Sequence, residues 1–369
     1  MGELAKLTDI ANILTGSSNV QDANETGKYP LFDRSDVAKL STRYLFDCEA
    51  IIVPGEGSEF IPKYYNGKFD LHQRAYAVIP YSGYNAIFLY YIIQNNTYQL
   101  VKYSVGTTVK SLRHNSFEHI VVPLFSEKQQ AKIAEILTTV DDAIVKTKAL
   151  IDKYSNIKIG MMQDFFDNRV TTQKLVDFCD SVRDGTHDSP KPTGSSGKYL
   201  ITSKHLGNQN LDFSCAYKIS FEDYEQIIRR SKVDKWDILF SMIGTIGSIY
   251  QETNDNPDYA VKNVGLFKMG GNAQKSQWLK YYLQSNLCKK YLSLSLRGST
   301  QKYVSLDVLR KMPIYVPSSD EQQDIINQLE AVDIKITTET NYLSKLQDIK
   351  QGLMQDLLKP DGVSVDALL

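Results

Sequence analysis

The chain has 369 residues, 42% hydrophobic and 23% charged, an ordinary globular composition with room for two or three cores. Its 42 basic and 43 acidic residues give a net charge of −1, which excludes indiscriminate polyanion binding and leaves room for a local patch. No run of about 18 apolar residues occurs, Met1-Gly2-Glu3-Leu4 offers no leader or lipidation pattern, and four scattered cysteines and five histidines form no ligand set. A cytoplasmic chain with no membrane span and no metal site is expected.

In chain order, Ala50-Ile51-Ile52-Val53 reads as a buried strand ending at Gly55-Glu56-Gly57, Ala75 to Pro80 as a second strand, and the segment around Tyr90 as a short helix. Pro123 and Ser126, with Gln129 in capping-box position, open a long helix whose apolar stripe runs Ile133, Leu137, Val140, Ile144, Ile151, Tyr154, Met161, Phe165. A Gly/Pro/Ser-rich loop follows from Ser181 to Gly197. Asp237 to Gly247 and Val264 to Lys268 then read as strands and the segment around Tyr281 as a helix. A second long helix starts at Pro317, Ser319 and Gln322 and carries Leu329, Val332, Ile336, Leu343, Leu346, Leu353 and Leu357. Pro360-Asp361-Gly362 stops it.

This order is a duplication. Ile157-Lys158-Ile159-Gly160-Met161-Met162-Gln163-Asp164 returns as Ile349-Lys350-Gln351-Gly352-Leu353-Met354-Gln355-Asp356, an offset of 192. Val140-Asp141 matches Val332-Asp333, and Gly106-Thr107-Thr108-Val109-Lys110 matches Gly298-Ser299-Thr300-Gln301-Lys302, at the same offset. Gly27-Lys28-Tyr29 pairs with Gly197-Lys198-Tyr199 at 170, and Glu49 with Asp237 at 188, so the second copy holds 18 extra residues between these points. The fold expected is α+β: two globular mixed α/β domains separated by two long antiparallel coiled-coil helices, as a pseudo-two-fold internal repeat. At about 40 residues each helix spans roughly 60 Å. Both stripes are interrupted alike, at Thr147 and Glu339 and at Lys158 and Lys350. Gly160 and Gly352 imply close helix approach or a kink, and the sequence leaves both open.

Catalytic signatures are missing. Gly244-Thr245-Ile246-Gly247-Ser248 lacks the lysine and spacing of a phosphate loop, Asp333-Ile334-Lys335 lies on a helix rather than a strand edge, and neither an Asn-Pro-Pro-Tyr loop nor a G-x-G-x-x-G turn occurs. Basic residues cluster at matched places. Lys102, Lys110 and Arg113 stand without an acid between 102 and 117, and six basic residues stand against Asp307 alone between 289 and 311.

With Trp236 to Ser241, Gly244 and Gly247, the Gly298 to Lys302 stretch and the doubled Pro…Glu-Gln-Gln helix starts in view, the whole chain resembles the specificity (S) subunit of a type I restriction-modification system. The resemblance implies target recognition domains at 1–124 and 168–316, spacer helices at 125–167 and 317–360, and a tail at 361–369. It implies a non-catalytic subunit that reads an asymmetric bipartite site in double-stranded DNA and docks two methyltransferase (M) subunits and restriction (R) subunits. S-adenosylmethionine, ATP and Mg then belong to those partners, with no cofactor in this chain. From chemistry and placement, candidate DNA contacts are Arg34, Ser35, Thr107, Thr108, Lys110 and Arg113 in the first half. In the second half they are Arg183, His187, Lys204, His205, Arg297, Ser299, Thr300, Gln301 and Lys302. The competing reading is a coiled-coil scaffold or adaptor without DNA selectivity.

Overall fold

The computed structural model describes residues 3–167, 169–171, 173–207, 210–296 and 303–359. Two compact units form. The first combines residues up to Ala149 with those from Glu339 onward, and the second runs from Leu150 to Thr338. Each unit is therefore built from both copies of the repeat.

In the first unit six strands, β1 (Ala11–Thr15), β2 (Tyr29–Phe32), β3 (Lys39–Ser41), β4 (Phe46–Pro54), β5 (Lys63–Leu71) and β6 (Ala75–Pro80), form one sheet. Their order is β1-β6-β4-β5-β2-β3. All neighbours are antiparallel except β2 and β5, which run parallel with Leu31 opposite Asp70. Helix α1 (Ala86–Asn95) follows, then α2 (Glu127–Phe166), the first long helix.

The second unit repeats this plan with β7 (Ser181–Asp184), β8 (Lys198–Thr202), β9 (Lys218–Ile219), α3 (Phe221–Ser231), β10 (Ile238–Ser241), β11 (Ile249–Gln251), β12 (Tyr259–Lys262) and β13 (Val264–Lys268). Two sheets appear, ordered β7-β13-β10-β11 and β9-β8-β12. Together they match the first unit strand for strand, with β5 replaced by β11 and β12, and β8–β12 again the parallel pair. The 18 extra residues anticipated between Tyr199 and Trp236 coincide with the stretch that carries α3, which has no counterpart in the first unit. Gly27 and Gly197 share a reason. A Cβ at Gly27 would lie 2.5 Å from backbone atoms of Ser41, and one at Gly197 1.9 Å from the Ile219 carbonyl, both on the strand facing them.

After α4 (Ala273–Gln284) the chain reaches α5 (Ser319–Leu357), the second long helix. The capping box at Ser126 forms, with the Ser126 amide on Gln129 Oε1 at 2.9 Å. In the second copy the cap is Ser318, one residue before the expected Ser319, because Ser318 Oγ accepts from the Glu321 amide. The matched glutamines are Gln130 and Gln322. Both are buried, and they donate to the carbonyls of Phe125 and Pro317, each at 2.9 Å.

Each core takes the end of one long helix and the start of the other. Met354, Leu357 and Leu358 join Ile133, Ala134 and Leu137 in the first unit, while Met162 and Phe166 join Ile325, Ile326 and Leu329 in the second. These positions are 192 apart residue by residue, except that the match of Leu357, Phe165, is only partly buried. Along α2 the buried positions Gln130, Ile133, Leu137, Ile144, Thr147, Met162 and Phe166 recur with the 3.6 repeat of a straight helix. The far end of the stripe therefore passes to Met162 and Phe166, leaving Met161 and Phe165 partly buried.

A polar station repeats with them. Lys350 Nζ lies 2.7 Å from Asp141, whose other oxygen accepts the Tyr91 hydroxyl at 2.8 Å. In the second unit Lys158 Nζ lies 2.6 Å from Asp333, which accepts Tyr281 at 3.0 Å. Each lysine also stands 5.5 Å from its tyrosine ring. In the first unit Leu137 joins the core beside Met354 while Asp141 takes Lys350; in the second, Lys158 takes Asp333 and Tyr154 takes Lys335 over its ring. Within each unit the paired helix segments thus run antiparallel, as the repeat implied. Close helix approach does not account for Gly160 and Gly352, since a Cβ at either would meet nothing within 4 Å. Both helices continue through them, and nothing in the structure explains the pair.

Leu357→Ala should cost about 2–5 kcal/mol through lost burial and cavity formation. Hydrogen exchange should show protection falling in residues 11–149 and unchanged between 173 and 296.

Candidate nucleic-acid interface

In the first unit four backbone segments converge beside one end of the sheet. They are the loop after β2, the Glu56–Gly57 strand after β4, the three-residue turn between β5 and β6, and the Lys110–Ser111 strand that pairs with Glu56–Gly57. A cleft of about 250 Å³ opens there, lined by Asp33, Arg34, Glu56, His72, Gln73 and Arg74.

The loop after β2 is tied down. Buried Asp33 accepts the Ser35 amide and the Lys39 ammonium, each at 2.7 Å, and Lys63 Nζ donates to the carbonyls of Ser35 and Asp36. Burial alone would raise the Asp33 pKa, but the hydrogen bonds from Lys39 and Ser35 outweigh it and hold the carboxyl below its ordinary value. The turn is equally fixed. The His72 and Gln73 amides donate to the carbonyls of Phe32 and Ser18, and the Arg74 amide to His72 Nδ1.

The second unit builds its edge at topologically equivalent points. Ser18 bridges His72 in the first unit, and Thr186 bridges Lys262 in the second. Asn263, at φ +52, is the whole turn between β12 and β13. Its side chain meets His187 Nδ1 at 2.8 Å, and its carbonyl accepts Ser203 Oγ. Asp184 takes His187 Nε2 at 2.9 Å and Arg230, from α3, at 2.5 Å.

Of the first-half candidates, Arg34 is exposed with its guanidinium 3.7 Å from Glu56, Ser35 is half-buried, and Thr107, Thr108 and Arg113 are exposed. Lys110 is half-buried in the strand beside Glu56, so the fold brings Arg34 and Lys110 to the same edge. In the second half Arg183 and Lys204 are exposed, Arg183 donating to the Arg230 carbonyl at 2.9 Å. His187 is exposed; His205 is buried, its Nδ1 accepting the Thr202 amide at 2.9 Å. That ring supports its own loop rather than presenting an edge. Arg297, Ser299, Thr300, Gln301 and Lys302 lie outside the described residues. The basic stretch from 289 to 311 does not form one free face, because Arg310 donates twice to the Val182 carbonyl and Lys311 pairs with Asp307.

Sequence reasoning missed Glu56, Arg74, Asp184, Arg230 and Asn263. Glu56 stood inside a recognised glycine turn, and the turn at Arg74 falls just before the matched strand at Ala75. Extending the repeat alignment through the strand ends was the available signal. Among the described residues no group of three or more His, Cys, Asp or Glu could hold a metal ion, and no helix is long and apolar enough to cross a membrane.

The family model described as "Type I restriction modification DNA specificity domain" matches twice, over residues 3–153 and 168–348. The chain belongs to this type I DNA specificity family. It is similar to the EcoDI specificity subunit of Escherichia coli, 31% identical over 157 residues, covering 42% of this chain and 34% of that relative. The chain thus spans about a third of that protein's length. It is also 26% identical over 298 residues to the MjaVIII specificity subunit of Methanocaldococcus jannaschii, covering 74% of this chain and 69% of that one. Among solved structures, the type I restriction-modification S subunit from M. genitalium shares the fold, with a TM-score of 0.68 at 15% identity and coverage of 97% and 96%. A chain from a structure of type I R-M complex assembly shares it at TM-score 0.55, 14% identity and 98% coverage of both. The chain thus carries the DNA specificity domain twice.

Burial holds the His205 pKa below its ordinary 6.5. A depressed folded-state value means the stability this ring confers is fully present above pH 6.5 and is lost as pH falls through the folded value. The protection factor of the Thr202 amide, its exchange rate corrected for the intrinsic pH dependence, should fall on acidification below about pH 6.5, and His205→Gln should abolish that dependence.

Proposed function

We propose that each unit reads one half of an asymmetric bipartite site in double-stranded DNA, and that the chain docks two M subunits and R subunits that supply adenine methylation and cleavage. The observation that carries this reading is the edge built twice on one topology with different side chains. Arg34, Glu56 and Arg74 stand in one unit, and Lys204, His187, Asn263 and Arg230 in the other. Equivalent frames carrying different donors and acceptors suit two different base sequences. Phosphate contacts from exposed Lys and Arg would set position, and a few side chains at base edges would set sequence. The helices α2 and α5 would fix the number of unread base pairs between the half-sites, and the complex would work in the cytoplasm. S-adenosylmethionine, ATP and Mg would be bound by the partners.

Deleting this gene from its host should erase N6-methyladenine at one motif made of two different short blocks with a constant gap. Single-molecule sequencing of modified bases reads this directly. An unchanged methylation pattern in a strain where the M subunits are made would contradict the reading and favour a scaffold without DNA selectivity. The isolated chain should bind no S-adenosylmethionine by calorimetry.

A further inference from the structure

We propose that the cleft of the first unit reads a G·C base pair in the major groove, with Arg34 on the guanine, Glu56 on the cytosine, and Arg74 as the residue that positions Glu56. This rests on the DNA-reading role above and names the chemistry of one half-site.

The cleft holds three charges with little structural purpose of their own. Arg34 and Arg74 are 67% and 63% exposed, and exposed ion pairs add little stability. Glu56 is different. Its side chain is 16% exposed, Arg74 Nη1 holds one carboxylate oxygen at 2.5 Å, and Arg34 Nη1 stands 3.7 Å from the other. The tight pair aims the carboxylate. The loose one leaves most of the Arg34 fork unengaged.

The acid decides the ligand. A phosphate drawn toward Arg34 would lie close to the Glu56 carboxylate and be repelled by it. A G·C pair suits both groups at once. Guanine offers O6 and N7 to a guanidinium fork, and cytosine offers its N4 amine to a carboxylate. The backbone on either side is held by Asp33, Lys63 and the carbonyls of Phe32 and Ser18, so the geometry is set before DNA arrives. Lys110, on the strand paired with Glu56–Gly57, is placed at the rim for the neighbouring phosphate.

The test uses the complex captured from its host on the full-length chain, and a pool of duplexes with 24 randomised base pairs, an arbitrary length of roughly two turns of DNA. Wild type should enrich two blocks, one containing an invariant G·C pair. Arg34→Lys should lower preference at that position alone by about 5- to 150-fold, the range for one bidentate contact, and leave the second block intact. Glu56→Gln and Arg74→Ala should blur the same position, and Arg74→Lys should restore part of it. Equal melting temperatures would show that the variants fold. If Arg34→Lys leaves the motif unchanged and Arg34→Ala weakens every duplex evenly with a shallower salt dependence, Arg34 is a phosphate contact and the base assignment fails. If wild type enriches no duplex, the DNA-reading role itself fails.

Discussion

An ammonium withdrawn from water needs a carboxylate beside it, and in this chain two such lysines find theirs on the other long helix. Lys350 meets Asp141 and Lys158 meets Asp333, with side chains only 16–27% exposed. At that burial the two charges attract each other more strongly than at the surface, and removing one partner strands the other. Tyr91 and Tyr281 donate to the same carboxylates and present their rings to the same lysines, and burial first, then the neighbouring Asp, pushes their hydroxyls well above the usual tyrosine range. Lysine, carboxylate and phenol are thus mutually satisfied. The arrangement sets which turn of one helix lies beside which turn of the other, and the apolar contacts at Met354, Leu358, Met162 and Phe166 follow.

Because the station is used twice, each unit depends on both copies of the repeat. The first cannot complete its core without the end of α5, nor the second without the end of α2. The same division separates what must be kept from what can change. The buried faces of the long helices, their caps and the Lys–Asp pairs recur 192 residues apart, whereas the strand-end loops differ in length and chemistry. Those loops sit in front of a completed core, so their side chains can be exchanged with little effect on folding. This is a physical basis for two units that share one scaffold and differ in their loops.

The duplication, both long helices, the cap at Ser126 and the matched strands were legible in the sequence because they rest on local periodicity and on identity between copies. The stations were half legible. Lys158 and Lys350 showed as matching interruptions of an apolar stripe, and Asp141 and Asp333 as matched positions of the repeat, Asp333 also within a misleading D-x-K, but nothing joined lysine to carboxylate. Their partners are about 175 and 209 residues away, beyond any local pattern. Position on the chain also misled for His205, which follows a matched strand and looked available. A 3₁₀ turn over Ser203–His205 rolls its ring inward onto the Thr202 amide. The Glu56 cluster was invisible for the opposite reason. Its members are ordinary surface residues until the parallel pairing of β2 with β5 brings the turn at Arg74 beside the loop at Arg34.

A double-mutant cycle tests the central claim most directly. Asp141→Asn and Lys350→Met should couple by at least about 1 kcal/mol, above the median for exposed pairs. Asp141→Asn and Lys158→Met should be additive. Both are read from the exchange-derived stability of α1. No coupling between Asp141 and Lys350, or equal coupling to Lys158, would contradict the arrangement in which each helix completes the other copy's domain.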